Sequence, residues 1–230
     1  MDLGLQIAAS GMVAEQTRQE QLSNDLANSS TPGYKPDESP QHSFGDVLLA
    51  SSEGAPAVGS AVAGVGLGKT FTDMTPASIQ ETGEPLDFAI AGDGFFGVQT
   101  SQGVRYTRDG QFTVSAQDTL TDANGNPVLG QGGGQIKVTD GKVSSTALGV
   151  FEVPSATKQG ENLYTGASTG KAAGSVRQGA LEDSGVDAAK VMVEMITSLR
   201  DFQSGQQAIQ AIAQTLQTAS TEVGSVNPAA

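Results

Sequence analysis

The sequence predicts an α+β protein in which long N- and C-terminal helices pair as a coiled-coil-like bundle and flank a central antiparallel β domain. Two observations carry this prediction. Apolar residues recur every three or four positions at both ends of the chain, which is the period of an amphipathic helix. Between the ends, short apolar runs are separated by Asp-Gly and Asn-Gly pairs, which is typical of β-hairpins.

The first helix is predicted from Leu3 to about Asn28. Pro32 indicates its end because proline disfavours helical backbone in the residue before it, and Gly33 readily adopts a turn. Its apolar positions on the helical spacing are Leu5, Ala8, Met12, Leu22 and Leu26.

The last helix is predicted from about Asp187 to Val223. The segment Ser184–Asp187 fits a capping box at its start, in which side chains accept hydrogen bonds from the first free backbone N–H groups. Its apolar stripe contains Ala189, Val193, Ile196, Leu199, Ile209, Ile212 and Leu216.

Four turn pairs place the β domain between the helices. They are Asp93-Gly94, Asp109-Gly110, Asn124-Gly125 and Asp140-Gly141, and each lies between short runs that favour β-strands. The predicted layout is a discontinuous helical domain of residues 1–35 and 180–230, an extended Gly/Ala/Ser/Pro-rich connector of residues 36–68, and a β domain of residues 69–179.

Both helical stripes are weak, because Ala, Gln and Ser occupy many of their positions and bury too little area to hold a long isolated helix. Each helix therefore needs neighbours. Two interpretations stay open: an ordinary two-helix stalk on a globular domain, and helices that serve as polymerisation surfaces. The candidate subunit-interface residues are Leu5, Ala8, Met12, Leu22, Leu26, Val193, Ile196, Leu199, Ile209, Ile212 and Leu216.

Composition narrows the classes of function. Twelve Lys and Arg against 25 Asp and Glu give a net charge of −13, which disfavours binding to nucleic acid or to anionic membranes. The chain has no Cys and one His, His42, so thiolate and multi-histidine metal sites are excluded and no metal or cofactor is expected. The sequence contains no run of 18 apolar residues that would predict a membrane-spanning helix, and no cleavable signal peptide is recognised in it.

Three patterns imitate functional sites. The run Ala63–Thr70 fits a relaxed phosphate loop but lacks a buried strand before it and a helix after it. The run beginning at Asp122 starts like a calcium loop but has Pro127 and Gly133 where Gly and Glu are required. The carboxylates Glu182 and Asp183 are interpreted as solvated loop charges, and no nucleophile, base and orienting group come together, so the chain is predicted not to be an enzyme.

Three motifs in order resemble the bacterial flagellar rod and hook (axial) proteins. The N-terminal helix closes with Leu-Ala-Asn at 26–28 and Thr-Pro-Gly-Tyr-Lys at 31–35. The middle carries Gly-Asp-Gly-Phe-Phe at 92–96 and Tyr-Thr-Arg-Asp-Gly at 106–110, and the run 179–187 leads into the last helix. The resemblance covers nearly the whole chain and favours a proximal or distal rod subunit.

This resemblance implies a structural subunit of the basal-body rod, with the terminal helices in an inner tube around the export channel and the β domain outside. The implied partners are copies of the chain, other axial proteins, the flagellar type III export apparatus and the basal-body rings. The implied location is the flagellar basal body, reached without a cleaved signal peptide. The family motif would supply a hinge between tube and outer domain, with the residues Asn28, Thr31, Pro32, Gly33 and Tyr34.

Two alternatives belong to other classes of protein. A secreted binding or adhesive β module with a helical stalk would capture a ligand without its helices. A nucleotide-binding protein would use Ala63–Thr70, and Lys69 would then be essential for nucleotide affinity.

Overall fold

The computed structural model describes residues 2–43, 65–139, 141–160 and 162–224, and these fall into two compact units. The helical unit comprises Met1–Leu26, Asp37–Phe71 and Ala188–Ala230, and the strand unit comprises Ala27–Pro36 and Thr72–Asp187. In this division residues 27–35 and 180–187, which the sequence assigned to the helical domain, belong to the strand unit. Most of the predicted connector, residues 44–64, lies outside the described residues.

The helical unit is built on two long helices, α1 (Asp2–Ala27) and α2 (Ala188–Gly224). They run antiparallel, which confirms the predicted pairing of the two ends of the chain. The contacts follow opposite orders along the two helices: Gly4 with Ile212, Met12 with Gly205, Glu15 with Ser198, and Arg18 with Glu194.

The seam of α2 that faces α1 follows the alternating spacing of four and three residues expected of a coiled coil. Its members are all less exposed than the residues beside them, and they are Val191, Ser198, Phe202, Gly205, Ile209, Ile212 and Leu216. The predicted stripe is therefore divided: its second half lies in this seam, whereas Val193, Ile196 and Leu199 lie on the exposed side of the helix. The difference arises because Ser198 and Gly205, which are not apolar, occupy seam positions and let the helices approach closely.

The helical unit also contains short strands before and after residues 44–64. They are β1 (Asp37–Glu38), β2 (Gln41–Ser43) and β3 (Val65–Leu67), with β4 (Phe71–Thr72) at the boundary of the unit. β2 and β3 pair antiparallel.

The strand unit contains thirteen further described strands. They are β5 (Ile79–Glu81), β6 (Phe88–Ala91), β7 (Phe95–Thr100), β8 (Gly103–Thr107), β9 (Thr113–Val114), β10 (Leu120–Thr121), β11 (Val128–Leu129), β12 (Val150–Glu152), β13 (Thr157–Lys158), β14 (Leu163–Thr165), β15 (Gly170–Lys171), β16 (Ser175–Gln178) and β17 (Ala180–Glu182). The main antiparallel sheet has the order β13-β14-β8-β7-β12-β15, with β11 also paired to β7. Two-stranded ladders join β6 to β16, β5 to β17, and β9 to β10.

Two of the four predicted hairpins are wrong. The strands on either side of Asp93-Gly94 do not pair, because β6 pairs with β16 and β7 pairs with β8. Asp109-Gly110 likewise joins β8 to β9, which pair with other strands. At Gly110 the small residue is needed for close packing instead, since its backbone lies directly against the backbone of Phe88 and accepts a 3.0 Å hydrogen bond from the Phe88 N–H.

The other two turns form as predicted. Around Asn124-Gly125, Thr121 bridges to Pro127, and the Gly125 N–H donates to the Asp122 carbonyl at 3.0 Å. At the last turn Asp140 lies outside the described residues, but Thr139 and Lys142 on either side of it form an antiparallel bridge.

The core of the strand unit consists of two apolar clusters. The larger packs the aromatic rings of Phe88, Phe96 and Phe112 with aliphatic side chains from β10, β11 and β12. The smaller packs Phe95 against Tyr164. Every buried member of both clusters lies between residues 88 and 172, so the segments at either end of the strand unit are held by other forces.

Candidate functional site

Two segments of the strand unit lie beside each other. The first crossing segment is residues 28–36, which follow α1 in the chain, and the second crossing segment is residues 180–187, which precede α2. The Gly33 N–H donates to the Glu182 carbonyl, and the Gly185 N–H donates to the Tyr34 carbonyl, both at 2.8 Å. The Ser184 hydroxyl donates to the Asn28 carbonyl at 2.9 Å. The two segments are thus hydrogen-bonded to each other along their length.

A buried ion cluster lies where these segments meet the sheet. Glu182 contacts Lys35 Nζ through Oε1 at 2.6 Å and Arg108 through Oε2 at 3.1 Å. The side chains of Lys35 and Glu182 are each 1% exposed and that of Arg108 is 4% exposed. One carboxylate therefore compensates two cations in a site that water barely reaches, where each charge depends on its partner.

Lys35 and Glu182 have further hydrogen-bond partners. Lys35 Nζ also donates to the Thr75 carbonyl at 2.7 Å, and the Ala77 N–H donates to Glu182 Oε1 at 3.0 Å. The Arg108 guanidinium lies over the Phe95 ring, 5.3 Å from its centroid, and is thereby stabilised as a cation against an aromatic face. The cluster joins three parts of the chain that are far apart in sequence.

Two polar side chains of the sheet hold the first crossing segment from its other side. Lys158 Nζ donates to the Lys35 carbonyl at 2.8 Å and lies 3.9 Å from the centroid of the Tyr34 ring. Asn162 Nδ2 donates to the Pro32 carbonyl at 2.9 Å. Backbone groups of the segment that would otherwise be buried without partners are satisfied in this way.

Gly33 lies directly against the backbone of Arg108 and Asp109. Its φ is +65°, in the left-handed region that favours glycine, and a Cβ at this position would overlap the Arg108 carbonyl group. The residue is therefore required both by its backbone conformation and by the space available.

The residues predicted to form a hinge lie in this fixed crossing. Gly33 and Tyr34 are buried, Pro32 and Tyr34 accept hydrogen bonds through their carbonyls, and the Thr31 hydroxyl lies 3.2 Å from Asn28 Oδ1. A hinge role stays a prediction, and it would require these contacts to break.

The interpretation of Glu182 as a solvated loop charge is wrong. Glu182 is buried because two cations, Lys35 and Arg108, reach it from positions 147 and 74 residues away in the chain. Its neighbour Asp183 faces the other way and accepts a hydrogen bond from the Ser78 hydroxyl at 2.5 Å. No local pattern around Glu182 carries this information. Lys35, Arg108 and Glu182 each stood inside a motif of the resemblance, but nothing in the motifs indicated that the three side chains meet.

The predicted interface residues divide into two groups in the helical unit. Val193 and Ile196 are 64% and 54% exposed, and Leu199 and Leu5 are also exposed. Leu22, by contrast, is 7% exposed. The partly buried members of the set are Ala8, Met12, Leu26, Ile209, Ile212 and Leu216.

Two segments resemble ligand sites in sequence, the loop beginning at Asp122 and the run Ala63–Thr70. Neither has the geometry that ligand binding would need. Asp122 uses its carboxylate within its own turn, accepting from the N–H groups of Asn124 and Asn126 at 2.9 Å and 2.8 Å. The Gly68 N–H donates to the Pro40 carbonyl, and strand β4 rather than a helix follows Lys69. Among the described residues, no group of three Asp, Glu, His or Cys could hold a metal ion, and no helix is long and apolar enough to span a membrane.

Asp109, which follows Arg108 in the motif at 106–110, has a raised pKa. Burial raises the pKa of the Asp109 carboxyl from 3.8 to about 6, and the nearby carboxylates of Asp122 and Asp87 act in the same direction. The Gln111 N–H, which donates to Asp109 Oδ1 at 3.0 Å, acts in the opposite direction.

This shift predicts that Asp109→Asn stabilises the protein above pH 6. Because the folded-state pKa is the higher one, ionised Asp109 destabilises the fold fully above about pH 6, and the effect disappears as pH falls towards 3.8. A shift of this size corresponds to at most about 3 kcal/mol, and asparagine keeps the acceptor for Gln111. Urea unfolding at pH 7.5 and pH 4.5 measures the effect, and an equal difference between variant and wild type at both pH values would contradict it.

Three family matches cover most of the chain. "Flagella basal body rod protein" matches residues 5–35, "Flagellar hook protein FlgE/F/G D1 domain" matches residues 89–158, and "Flagellar basal body rod FlgEFG protein C-terminal" matches residues 177–222. The first match covers residues 28–35 of the first crossing segment, and the third match contains the whole second crossing segment.

Individual proteins are similar over nearly their full length. The chain is 30% identical to the flagellar hook-basal body complex protein FlhO of Bacillus subtilis, over 97% of this chain and 99% of that protein. It is 32% identical to the flagellar basal-body rod protein FlgG of the same organism, over 87% and 91% of the two chains. It is 28% identical to the flagellar basal-body rod protein FlgF of Caulobacter vibrioides, over 99% and 100%. With its paired terminal helices and central antiparallel sheet, the chain belongs to the flagellar rod and hook protein family.

Proposed function

We propose that this chain is a structural subunit of the bacterial flagellar basal-body rod, assembling through its terminal helices into a tube that transmits torque and encloses the export channel. The observation that carries the proposal is the apolar side of α2 that α1 does not cover. Met192, Ile196 and Leu199 lie at spacings of four and three, so they share one side of the helix, and all are exposed.

The exposed side chains point to assembly because the seam between the two helices is already filled. A helix that has buried its seam against a partner normally presents polar residues on its other side. Here Val193 adjoins the exposed stripe on α2, and Val13 is 63% exposed on α1. Large apolar side chains grouped on an exposed surface mark a site of protein association.

The proposed partners follow from the same surfaces and from family membership. Copies of this chain and other rod and hook proteins, which share the helical ends, are the proposed neighbours in the tube. The flagellar type III export apparatus would deliver the chain without a cleaved signal peptide, and the basal-body rings would surround the assembled rod. The subunit would then reside in the basal body within the cell envelope, and its role would be mechanical rather than enzymatic.

Assembly is tested by Ile196→Asp, expressed from the chromosomal locus in the native bacterium. A carboxylate on the exposed apolar stripe would be buried without a partner in any helix-to-helix contact, which costs several kcal/mol. We expect the amount of this chain in isolated hook-basal bodies to fall by at least about tenfold, with loss of swimming.

The matched control is Ala208→Asp, which introduces the same charge at an exposed position of α2 that lies about 120° around the helix from Ile196. It should leave incorporation and swimming unchanged. Circular dichroism should show that Ile196→Asp retains the helix content of the wild-type chain, since Ile196 is not in the α1 seam. Wild-type incorporation of Ile196→Asp would contradict the proposal.

Leu22→Asp is a less specific test of assembly. Leu22 is already buried in the single chain, so a charge there disrupts the fold of the subunit before any second subunit is involved. Loss of assembly in that variant would therefore not separate a subunit contact from a folding defect.

A further inference from the structure

We infer that the Lys35–Glu182–Arg108 cluster is a latch. It fixes both crossing segments to the rest of the strand unit in one cooperative step, and Glu182 is the residue on which that step depends. The latch consists of these three side chains and the hydrogen bonds between residues 28–36 and 180–187. It depends only on contacts within one chain, and so it holds whatever the chain assembles with.

Cooperativity follows from the charge balance of the cluster. Lys35 and Arg108 are both cations and both share one carboxylate. If the second crossing segment left while the first stayed in place, the two cations would lose the carboxylate that bridges them and would face each other. The partly exposed Asp73 carboxylate near Lys35 would compensate them only in part, which disfavours this half-open state. Partly closed states are therefore disfavoured, and the latch has one closed and one open form.

Arg108 depends on Glu182 with particular strength. Its Nε is buried and has no hydrogen-bond partner among the residues that the structure describes, so the contact between Arg108 Nη1 and Glu182 Oε2 is its ionic anchor there. Among the residues that the structure describes, loss of Glu182 leaves the guanidinium with the Phe95 ring, which is a weaker partner than a carboxylate.

The hydrogen bonds of both segments open with the cluster. Gly33 donates to the carbonyl of Glu182 itself, and Gly185 donates to the carbonyl of Tyr34, the residue before Lys35. Neither bond can persist once Glu182 and Lys35 have moved apart. The amides of Gly33 and Gly185, which are far apart in sequence, therefore report the same event.

The latch can open without unfolding the core. No buried member of the two apolar clusters belongs to either crossing segment, so opening breaks the β5–β17 ladder and exposes the ion cluster, Tyr34 and Ala180 but leaves the clusters packed. The predicted hinge at residues 31–34 is then available only in the open form. The latch thus switches these segments between fixed and movable states.

Native-state hydrogen exchange on the full-length chain tests the inference. In the wild-type protein, the Gly33 and Gly185 amides should exchange with the same opening constant and the same urea dependence, and at least about tenfold faster than the amide of Val98 in β7. Glu182→Gln should raise the opening constants of both latch amides together, by about 100- to 1,000-fold. Adding Lys35→Met to Glu182→Gln should recover at least about tenfold of that loss, because one uncompensated cation is removed.

The matched control is Glu81→Gln. Glu81 contacts Arg177 at 2.9 Å, but these side chains are 79% and 50% exposed, so breaking this pair should change neither latch amide. The inference is overturned if the two latch amides differ by more than about tenfold in opening constant. It is also overturned if Glu182→Gln accelerates only one of them, or if both exchange as slowly as Val98 in the wild-type chain.

Discussion

Replacing Glu182 by glutamine is expected to lower the free energy of unfolding of the full-length chain by about 3–5 kcal/mol. Glutamine has nearly the shape of glutamate and can still accept one hydrogen bond from Lys35 or Ala77. It removes the single negative charge between two buried cations, and its amide N–H groups would face the N–H groups of Arg108 at the 3.1 Å contact. The loss arises mostly from the uncompensated cations and not from the missing hydrogen bond.

Urea unfolding followed by circular dichroism measures this loss. Glu81→Gln is the control, because it makes the same chemical change in an exposed ion pair of the same unit and should cost less than about 1 kcal/mol. Equal effects of the two substitutions would show that burial of the Glu182 cluster contributes nothing, which would contradict the prediction.

Gly33→Ala is the second substitution with a large expected effect, a loss of about 3 kcal/mol or more in the free energy of unfolding. Alanine has to adopt a φ of +65°, and its Cβ would overlap the Arg108 carbonyl group. The overlap involves backbone, which cannot rotate away as a side chain can. Relief requires the first crossing segment to move from the sheet, and that movement lengthens the hydrogen bond from Gly33 to the Glu182 carbonyl.

Gly83→Ala separates the two causes. Gly83 has a φ of +75°, and nothing lies within 4 Å of the position that its Cβ would take. Gly83→Ala should therefore lower the free energy of unfolding only by the cost of placing alanine in this backbone conformation, about 1–2 kcal/mol. If urea unfolding shows the same loss for Gly33→Ala and Gly83→Ala, the close approach to Arg108 does not limit the fold.

The local patterns of the sequence were sufficient for the helices and for the class of the fold. Helical periodicity is a property of residues within one turn of each other, so both terminal helices were predicted with bounds close to α1 and α2. The same patterns were less reliable for strand pairing. Asp-Gly at 93–94 and 109–110 has the composition of a hairpin turn, yet β6 pairs with the distant β16, and β9 pairs with the strand that follows it, β10, and not with β8.

The sequence also predicted only in part which face of each helix is buried. Apolar residues at 193, 196 and 199 and at 209, 212 and 216 follow similar spacings, and the sequence placed them in one stripe. The choice of seam depended on α1, which packs against Ser198 and Gly205 and leaves Ile196 outside. A small residue at a seam position carries no hydrophobic signal, although it allows the close approach of the helices.

By itself, the sequence determined the α+β class, the helical ends of the chain and the resemblance to rod and hook proteins, because each rests on residues that are neighbours in the chain. Only the tertiary structure decided that Glu182 is a buried counter-ion and that the Thr-Pro-Gly-Tyr motif is held by Lys158, Asn162 and the second crossing segment. The physical reason is that a charge is tolerated in the interior only where its partners arrive from elsewhere in the chain. Lys35 and Arg108 reach Glu182 across 147 and 74 residues, a distance over which no sequence pattern extends.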